Sequence, residues 1–483
     1  MMIDLPRRWW KVLNLAALIA ITNFTSYSIG KQTGFFSNSK YELRLINTPA
    51  PCNTNTNGGE DEPKDASLDL EIDLDAPSTA KTPLLRGAIS LDSGAPSAHS
   101  TTQTQQQLSN PIFTEPSPHL WSDIPIIPPH TERKKVLVTG AAGFIGSHVA
   151  YKLLERGDVV IVVDEMNDYY DINVKEHNLV ILREKADDIA KQTGKKNSND
   201  VLSIYKVDIN DQDAMHKIYR QHRPNWVCHL AARAGVRPSI NDPLLYVNAN
   251  VRGTTSMLEY SRIYNVTNTV LASSSSIYGE SESTFFSEAE NVNQPVSPYA
   301  ATKRAGELIS YTYHKLYNMN ITSLRFFTVY GPRGRPDMAP YKFISRVSHG
   351  DVIEQFGDGT TSRDYTYIGD ICDGVIRAVD RSYPYQIFNL GKGSGTKLNE
   401  FISLVEKHVG KKANIKYMPA QPGDVPFTNA DVSKANRLLG YESKFTIEEG
   451  IKLTAEWYKK EMMGTTEEEE KELVDSPPSD PGS

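Results

Sequence analysis

The sequence predicts an α/β protein, a doubly wound parallel sheet followed by a smaller C-terminal lobe. Three observations carry that expectation. Between residues 134 and 462, short apolar runs alternate with segments of helical period, the pattern of repeated strand–helix units. The first run, Val136 to Val138, is apolar and β-branched-rich without a polar break, as a strand covered on both faces must be. A glycine turn, Gly140-Ala141-Ala142-Gly143-Phe144-Ile145-Gly146, follows directly and opens a segment with Ile145, Val149 and Leu153 at helical spacing.

The outlying segments come first in the chain. Arg7-Arg8-Trp9-Trp10-Lys11 precedes an apolar run from Val12 to Ile21. The run is short for a membrane span, and residues 1–30 read as a membrane anchor or targeting segment: a signal-peptide core, a poor signal anchor or a transit-peptide fragment. A basic flank of this kind stays in the cytosol. Residues 31–131 are dominated by Ser, Thr, Pro, Asn, Gln and Asp and read as a disordered linker, because such a segment buries too little apolar area to offset its ordering entropy. Residues 463–483, with Glu467 to Glu470 and Pro477-Pro478, read as an acidic, solvated tail. The net charge of −7 argues against a nucleic-acid partner. Cys52, Cys228 and Cys372 lie far apart, with neither metal-ligand nor disulfide spacing, so no metal site is expected.

Strands are expected at Val136–Thr139, Val159–Asp164, Ser203–Val207, Trp226–Leu230, Thr269–Ala272 and Ser323–Phe327, with helices at Gln212–Arg220 and Asn250–Tyr264 among those between them. The polar, lysine-rich residues 183–200 read as a surface insertion. In the glycine turn, Gly140 permits the bend, Gly143 lets a diphosphate approach the backbone, and Gly146 lets the helix pack close to the strand. The helix N-terminus at Phe144 and Ile145 then offers free N–H groups and a positive dipole end. Asp164 closes the second strand about 20 residues on, where a carboxylate accepts hydrogen bonds from an adenosine ribose and repels a 2′-phosphate. This is a Rossmann-type NAD site. The other strand ends should line the same crevice: Asp208 and Ile209 against the adenine, Leu230, Ala231 and Ala232 leaving room for the dinucleotide, and Ser273 to Ser276 nearest the nicotinamide.

Ser297-Pro298-Tyr299 starts a helix, with Ser297 as N-cap and Pro298 at the first helical position. Tyr299 and Lys303 then share a face. A Lys303 ammonium and the nicotinamide cation would both favour the phenolate of Tyr299 and let it act as a base near neutral pH.

The glycine turn, the serine loop and Tyr299-x-x-x-Lys303 resemble the extended short-chain dehydrogenase/reductase family. Four stretches are similar to UDP-glucuronate 4-epimerases: Asp164 to Asp171 (DEMNDYYD), Leu230 to Arg237 (LAARAGVR), Ala272 to Gly279 (ASSSSIYG) and Arg325 to Met338 (RFFTVYGPRGRPDM). The chain departs from the pattern at Arg233, where Gln is usual, and in the longer insertion near 183–200. The resemblance implies an NAD-binding domain over residues 132–325 and a lobe over 326–462 that mainly binds the UDP-sugar. It implies C4 epimerisation of UDP-glucuronate to UDP-galacturonate through a transient 4-keto sugar. Tyr299 is the base, Lys303 holds the nicotinamide ribose, and Ser274 hydrogen-bonds the 4-oxygen. Thr328 and Arg335 approach the sugar, Arg363 meets the diphosphate, Gln355 meets the uracil, and Asp424 makes a ribose or loop contact. Ser275 and Ser276 stand where dehydratases of this fold carry an acid/base pair and decarboxylases a Glu, and are expected to grip the C6 carboxylate instead. The alternatives are a 4-epimerase of a neutral UDP-sugar (UDP-glucose or a UDP-N-acetylhexosamine) and a UDP-glucuronate decarboxylase. A homodimer is expected. An anchored N-terminus would place the catalytic part in the Golgi lumen, where Asn23, Asn265 and Asn320 are glycosylation acceptors; the alternative is a cytoplasmic enzyme.

Overall fold

A computed structural model describes residues 111–194, 197–419 and 426–464. The expected anchor (1–30), Asp424 and the tail from residue 465 lie outside these residues.

Seven parallel strands form the central sheet: β1 (Lys135–Thr139), β2 (Val159–Asp164), β3 (Leu202–Lys206), β4 (Trp226–His229), β5 (Asn268–Ser274), β6 (Ile321–Phe326) and, from far down the chain, β11 (Tyr385–Leu390). Their order across the sheet is β11-β6-β5-β4-β1-β2-β3. The chain therefore reverses direction across the sheet after β3, returning to β4 beside β1, and this topological switch point is where doubly wound sheets bind ligands. Alternation along β1 shows why the runs are continuously apolar. Val136 and Val138 pack into one core with α1 (Phe144–Arg156), α2 (Ile172–Gln192) and α9 (Ile368–Val379). Leu137 packs into the opposite core with α3 (Gln212–His222) and α6 (Gly253–Ile263). Both cysteines of the described residues, Cys228 and Cys372, are buried in the first core.

The glycine turn needs its glycines. Gly140 has φ +67°, and a Cβ there would lie 2.7 Å from the Ala231 nitrogen. A Cβ on Gly146 would overlap the Gly140 carbonyl. Helix α7 (Pro298–Tyr317) starts as expected, with the Ser297 hydroxyl accepting from the Ala300 N–H at 3.1 Å.

A second core gathers Tyr330, Phe343, Ile344, Val347, Ile353, Tyr365, Phe401, Val405 and Ile451. It is built around β7 (Thr328–Tyr330), α8 (Ala339–His349), β8 (Val352–Phe356), β10 (Tyr365–Tyr367), α10 (Leu398–Val409) and α12 (Ile447–Trp457). Residues 326–462 do not form a lobe apart, since they also supply β11 and α9 to the sheet.

The lysine-rich surface stretch is helical up to residue 192: α2, 21 residues long, runs into it with Ala186 and Ala190 on its buried face. Lys191 is on its solvated side, and Lys185 lies over the Tyr151 ring. One expectation needs correction: the linker does not extend to 131. Residues 111–131 form an arm on the body. Phe113 pairs with Ser283 and Phe285, and the Ser117 N–H donates to Asp431. Trp121 lies under the Lys434 ammonium, and Ile124 and Ile127 pack on the main core. Arg437, on α11 (Ser433–Leu439), donates to the carbonyls of Ile124 and Ser122 at 2.8 and 2.6 Å. Among the described residues no helix is long and apolar enough to cross a membrane.

Candidate active site

A cavity of about 470 Å³ opens at the carboxyl ends of β1, β2, β4 and β5. Its dinucleotide end is walled by Gly140, Gly143, Phe144, Ile145, Gly146, Asp164, Asp208, Ile209, Leu230, Ala231 and Ala232, the residues expected there. Small side chains and the first turn of α1 leave backbone N–H groups facing it, which suits a diphosphate. The Asp164 carboxylate accepts from the Ala142 N–H at 3.0 Å and the Met166 N–H at 2.9 Å. It thus braces the glycine turn, and its remaining lone pairs suit ribose hydroxyls. The residues present therefore fit a dinucleotide.

The other end holds Ser273 to Ser276, Tyr299, Lys303, Thr328 and Arg335. Strand β5 and helix α7 bring the first six together. The Tyr299 hydroxyl shares a hydrogen bond with Ser274. Ser276 donates to the Ser274 hydroxyl from its own hydroxyl at 3.0 Å and from its N–H at 3.2 Å, so the serine loop is held in a turn about Ser274. Lys303 donates to the Ala272 carbonyl at 2.7 Å and lies 6.0 Å from the centre of the Tyr299 ring. Burial lowers the Lys303 ammonium to about 8.

Burial raises the Tyr299 phenol above the ordinary value, against the lowering effects of the Ser274 hydrogen bond and of Arg335. Arg335 is thus a further cation that favours the phenolate, while Lys303 is held to the strand through Ala272. Ser273 differs from expectation: its hydroxyl donates to Glu307 at 2.7 Å, so it braces the site from behind.

Two expected substrate residues are not on the cavity wall. Gln355 is 1% exposed on β8, and neither atom of its amide has a partner among the described residues. Arg363, on β9 (Ser362–Arg363), donates to the Ser362 carbonyl at 2.9 Å. Arg233 does face the cavity, with one amino group 3.4 Å from Glu165 and its backbone N–H donating to Asn250 at 2.8 Å. Wall residues given no role by the sequence reading include Tyr169, Tyr170 and Lys175. The Lys175 ammonium donates to the Asn167 carbonyl at 2.7 Å and lies 5.0 Å from the Tyr170 ring centre. Paired aromatics directly after a strand-end carboxylate were the available signal.

Comparison with known proteins gives the following. A family profile described as GDP-mannose 4,6 dehydratase matches residues 137–454. A UDP-glucuronate 4-epimerase of Thermodesulfobacterium geofontis is 44% identical over 324 residues, 67% of this chain and 95% of that protein. A UDP-glucuronic acid 4-epimerase of Bacillus cereus, solved with UDP-glucuronic acid and NAD, is 34% identical with a TM-score of 0.60, covering 68% of this chain and 99% of the other. A UDP-glucose 4-epimerase of Thermotoga maritima, solved with UDP-glucose, is 33% identical with a TM-score of 0.60 and the same two coverages.

Proposed function

Because the chain belongs to the NAD-dependent epimerase/dehydratase family of extended short-chain dehydrogenases, among the UDP-glucuronate 4-epimerases, we propose that it interconverts UDP-glucuronate and UDP-galacturonate. One observation carries this reading within the family. The pair Tyr299, half-buried, and Ser274 shares its end of the cavity with Arg335 and with hydroxyls at positions 275 and 276, where an elimination enzyme needs carboxylates.

The glycine turn and Asp164 would hold NAD⁺, which when bound would supply a reversible hydride acceptor for C4 of the sugar. The chain's own residues do the rest. Ser274 positions the sugar 4-oxygen against Tyr299, and Tyr299 takes the 4-hydroxyl proton and later returns it. Arg335 opposes the rise that burial imposes on the phenol. Lys303 holds the floor of the site through Ala272. Serine hydroxyls cannot replace an acid/base carboxylate near neutral pH, so the dehydratase outcome is disfavoured. They can hydrogen-bond a C6 carboxylate together with Thr328 and Arg335, each such bond to a charged group contributing roughly 1.5–3 kcal/mol. That grip also disfavours loss of carbon dioxide from the 4-keto acid. Gln355, whose buried amide has no partner among the described residues, remains our candidate for the uracil, Arg363 for the diphosphate and Asp424 for a ribose or loop contact.

Incubating the purified chain with NAD⁺ and UDP-glucuronate should give UDP-galacturonate. A UDP-pentose with carbon dioxide release would establish the decarboxylase instead, and turnover of UDP-glucose alone a neutral-sugar epimerase.

A homodimer is part of the proposal. Exposed apolar residues on neighbouring elements support it: Leu308 and Tyr311 on α7, and Ile240 and Leu244 on α4 (Val236–Asn241) and α5 (Pro243–Tyr246). A monomer by sedimentation would overturn it. So is a Golgi-membrane anchor within residues 1–30, supported by the basic flank before the apolar run. Recovery of a tagged full-length chain wholly in the soluble fraction would remove that idea.

A further inference from the structure

Three of the four diagnostic stretches converge on a single side chain, Arg335. Asp337, two residues on, takes one edge of its guanidinium: Nε donates to Oδ1 at 2.9 Å and Nη2 donates to Oδ2. Tyr169, from the first stretch, lies with its ring centre 5.3 Å from the guanidinium carbon, and its hydroxyl accepts from Nη2 at 3.4 Å. The Tyr169 hydroxyl donates in turn to the carbonyl of Ala234, in the second stretch, at 2.6 Å. Arg233 lies 6.0 Å from the centre of the same ring. No described residue takes Nη1. Both N–H groups of Nη2 are taken, so Nη1 is the end of the fork left for a ligand, and Arg335 lines the sugar end of the cavity.

We propose that Asp337 and Tyr169 are positioning residues for uronate selection. They clamp Arg335 so that its Nη1 is already set for the C6 carboxylate before substrate arrives. The inference rests on the UDP-glucuronate reading above. The physical reasons are three. A guanidinium is a planar fork, and a carboxylate on one edge fixes the direction of the other. A free arginine loses much rotamer freedom when it is ordered by a ligand, whereas a clamped one has lost it already, so the clamp favours affinity through preorganisation. Asp337 also offsets the charge of a largely buried cation, so a neutral sugar meets no unpaired charge there. The clamp therefore acts on discrimination between the two sugars.

The test is calorimetric binding of UDP-glucuronate and UDP-glucose to the NAD-loaded enzyme, with initial rates alongside. Asp337→Asn should weaken UDP-glucuronate about tenfold, the order expected for freeing one long side chain, and leave UDP-glucose within about twofold. Tyr169→Leu should act in the same direction. The rate at saturating UDP-glucuronate should change far less than the Michaelis constant. On an Arg335→Gln background, Asp337→Asn should have no further effect on either sugar. Tighter UDP-glucuronate binding in Asp337→Asn would overturn the proposal by making Asp337 a competitor for the fork. Equal weakening of both sugars would overturn it by reducing the clamp to loop structure. Failure of the wild type to bind UDP-glucuronate would instead sink the substrate reading itself.

Discussion

Tyr299 is a half-buried phenol whose hydroxyl meets Ser274, and its replacement by Phe removes one oxygen while keeping the ring contact with Tyr246. Turnover should fall at least ~100-fold, the usual contribution of a positioned general base, while NAD binding persists. Near-wild-type turnover would take Tyr299 out of the mechanism. Lys303 makes a second prediction, about pH. Burial lowers Lys303 to about 8 and raises Tyr299, so the ammonium loses its proton before the phenol does. The reactive pair, phenolate with ammonium, is then a minor form at every pH. Its population rises with pH while Lys303 is charged, and stays constant once each further phenolate is matched by loss of an ammonium. The turnover number should therefore climb to about pH 8 and level off there. In Lys303→Arg, whose guanidinium keeps its proton, residual activity should go on rising above that point; an unchanged break would assign it to another group. The Tyr299–Lys303 pairing was legible from its spacing. The sign of the phenol's displacement was not, because spacing carries no information about burial.

Helix α7 and strand β5 act as one part. Tyr299, Lys303 and Glu307 recur at every fourth position of the helix, and each is tied to a different one of three successive strand residues: Ser274, Ala272 and Ser273. Glu307 is also the partner of Arg325, a fully buried arginine on β6, through bonds of 2.9 and 3.0 Å, and of Arg304 at 3.0 Å. Burial pushes the Glu307 carboxyl up, but the Arg325 guanidinium outweighs it and the net displacement is downward. Removing one partner of such a pair strands the other. Glu307→Ala should destabilise the fold by about 3–5 kcal/mol in denaturant unfolding, and Glu307→Leu with Arg325→Met should recover most of that. Loss below ~1 kcal/mol for the single variant would show that Arg325 finds other acceptors. This pair escaped the sequence reading because a charge inside an apolar parallel strand gives no hint of the helix that answers it. The strands themselves were found to within a residue or two, since a parallel sheet covered on both faces writes itself as unbroken apolar runs. The missed strand of the central sheet, β11, lies in the chain between segments that build the second core, where no local signal says to which sheet it returns.

At the scale of the molecule, the arm of residues 111–131 is the feature that composition conceals. Its apolar residues are few and aperiodic, so only partners far along the chain make it ordered. A chain starting at residue 132 should be less stable than one starting at 111 by at least about 2 kcal/mol, the scale of re-exposing one or two large apolar side chains. Its thermal midpoint should fall by several degrees. Equal midpoints would mean that the arm only rests on the surface. The arm also reaches two further segments, at Phe285 and at Asp431.

That arm has a consequence for synthesis on the ribosome. Ile124 precedes Arg437, which holds it, by 313 residues. At ~5–20 residues per second, the arm leaves the exit tunnel tens of seconds before its seat exists. The core strands β1 to β6 can pair meanwhile, but the edge of β6 stays open until β11 emerges. Nascent chains stalled before residue 385 should thus expose Trp121, Ile124 and Ile127 together with a bare sheet edge, a combination that favours retention by chaperones, and those stalled between 391 and 432 the arm alone.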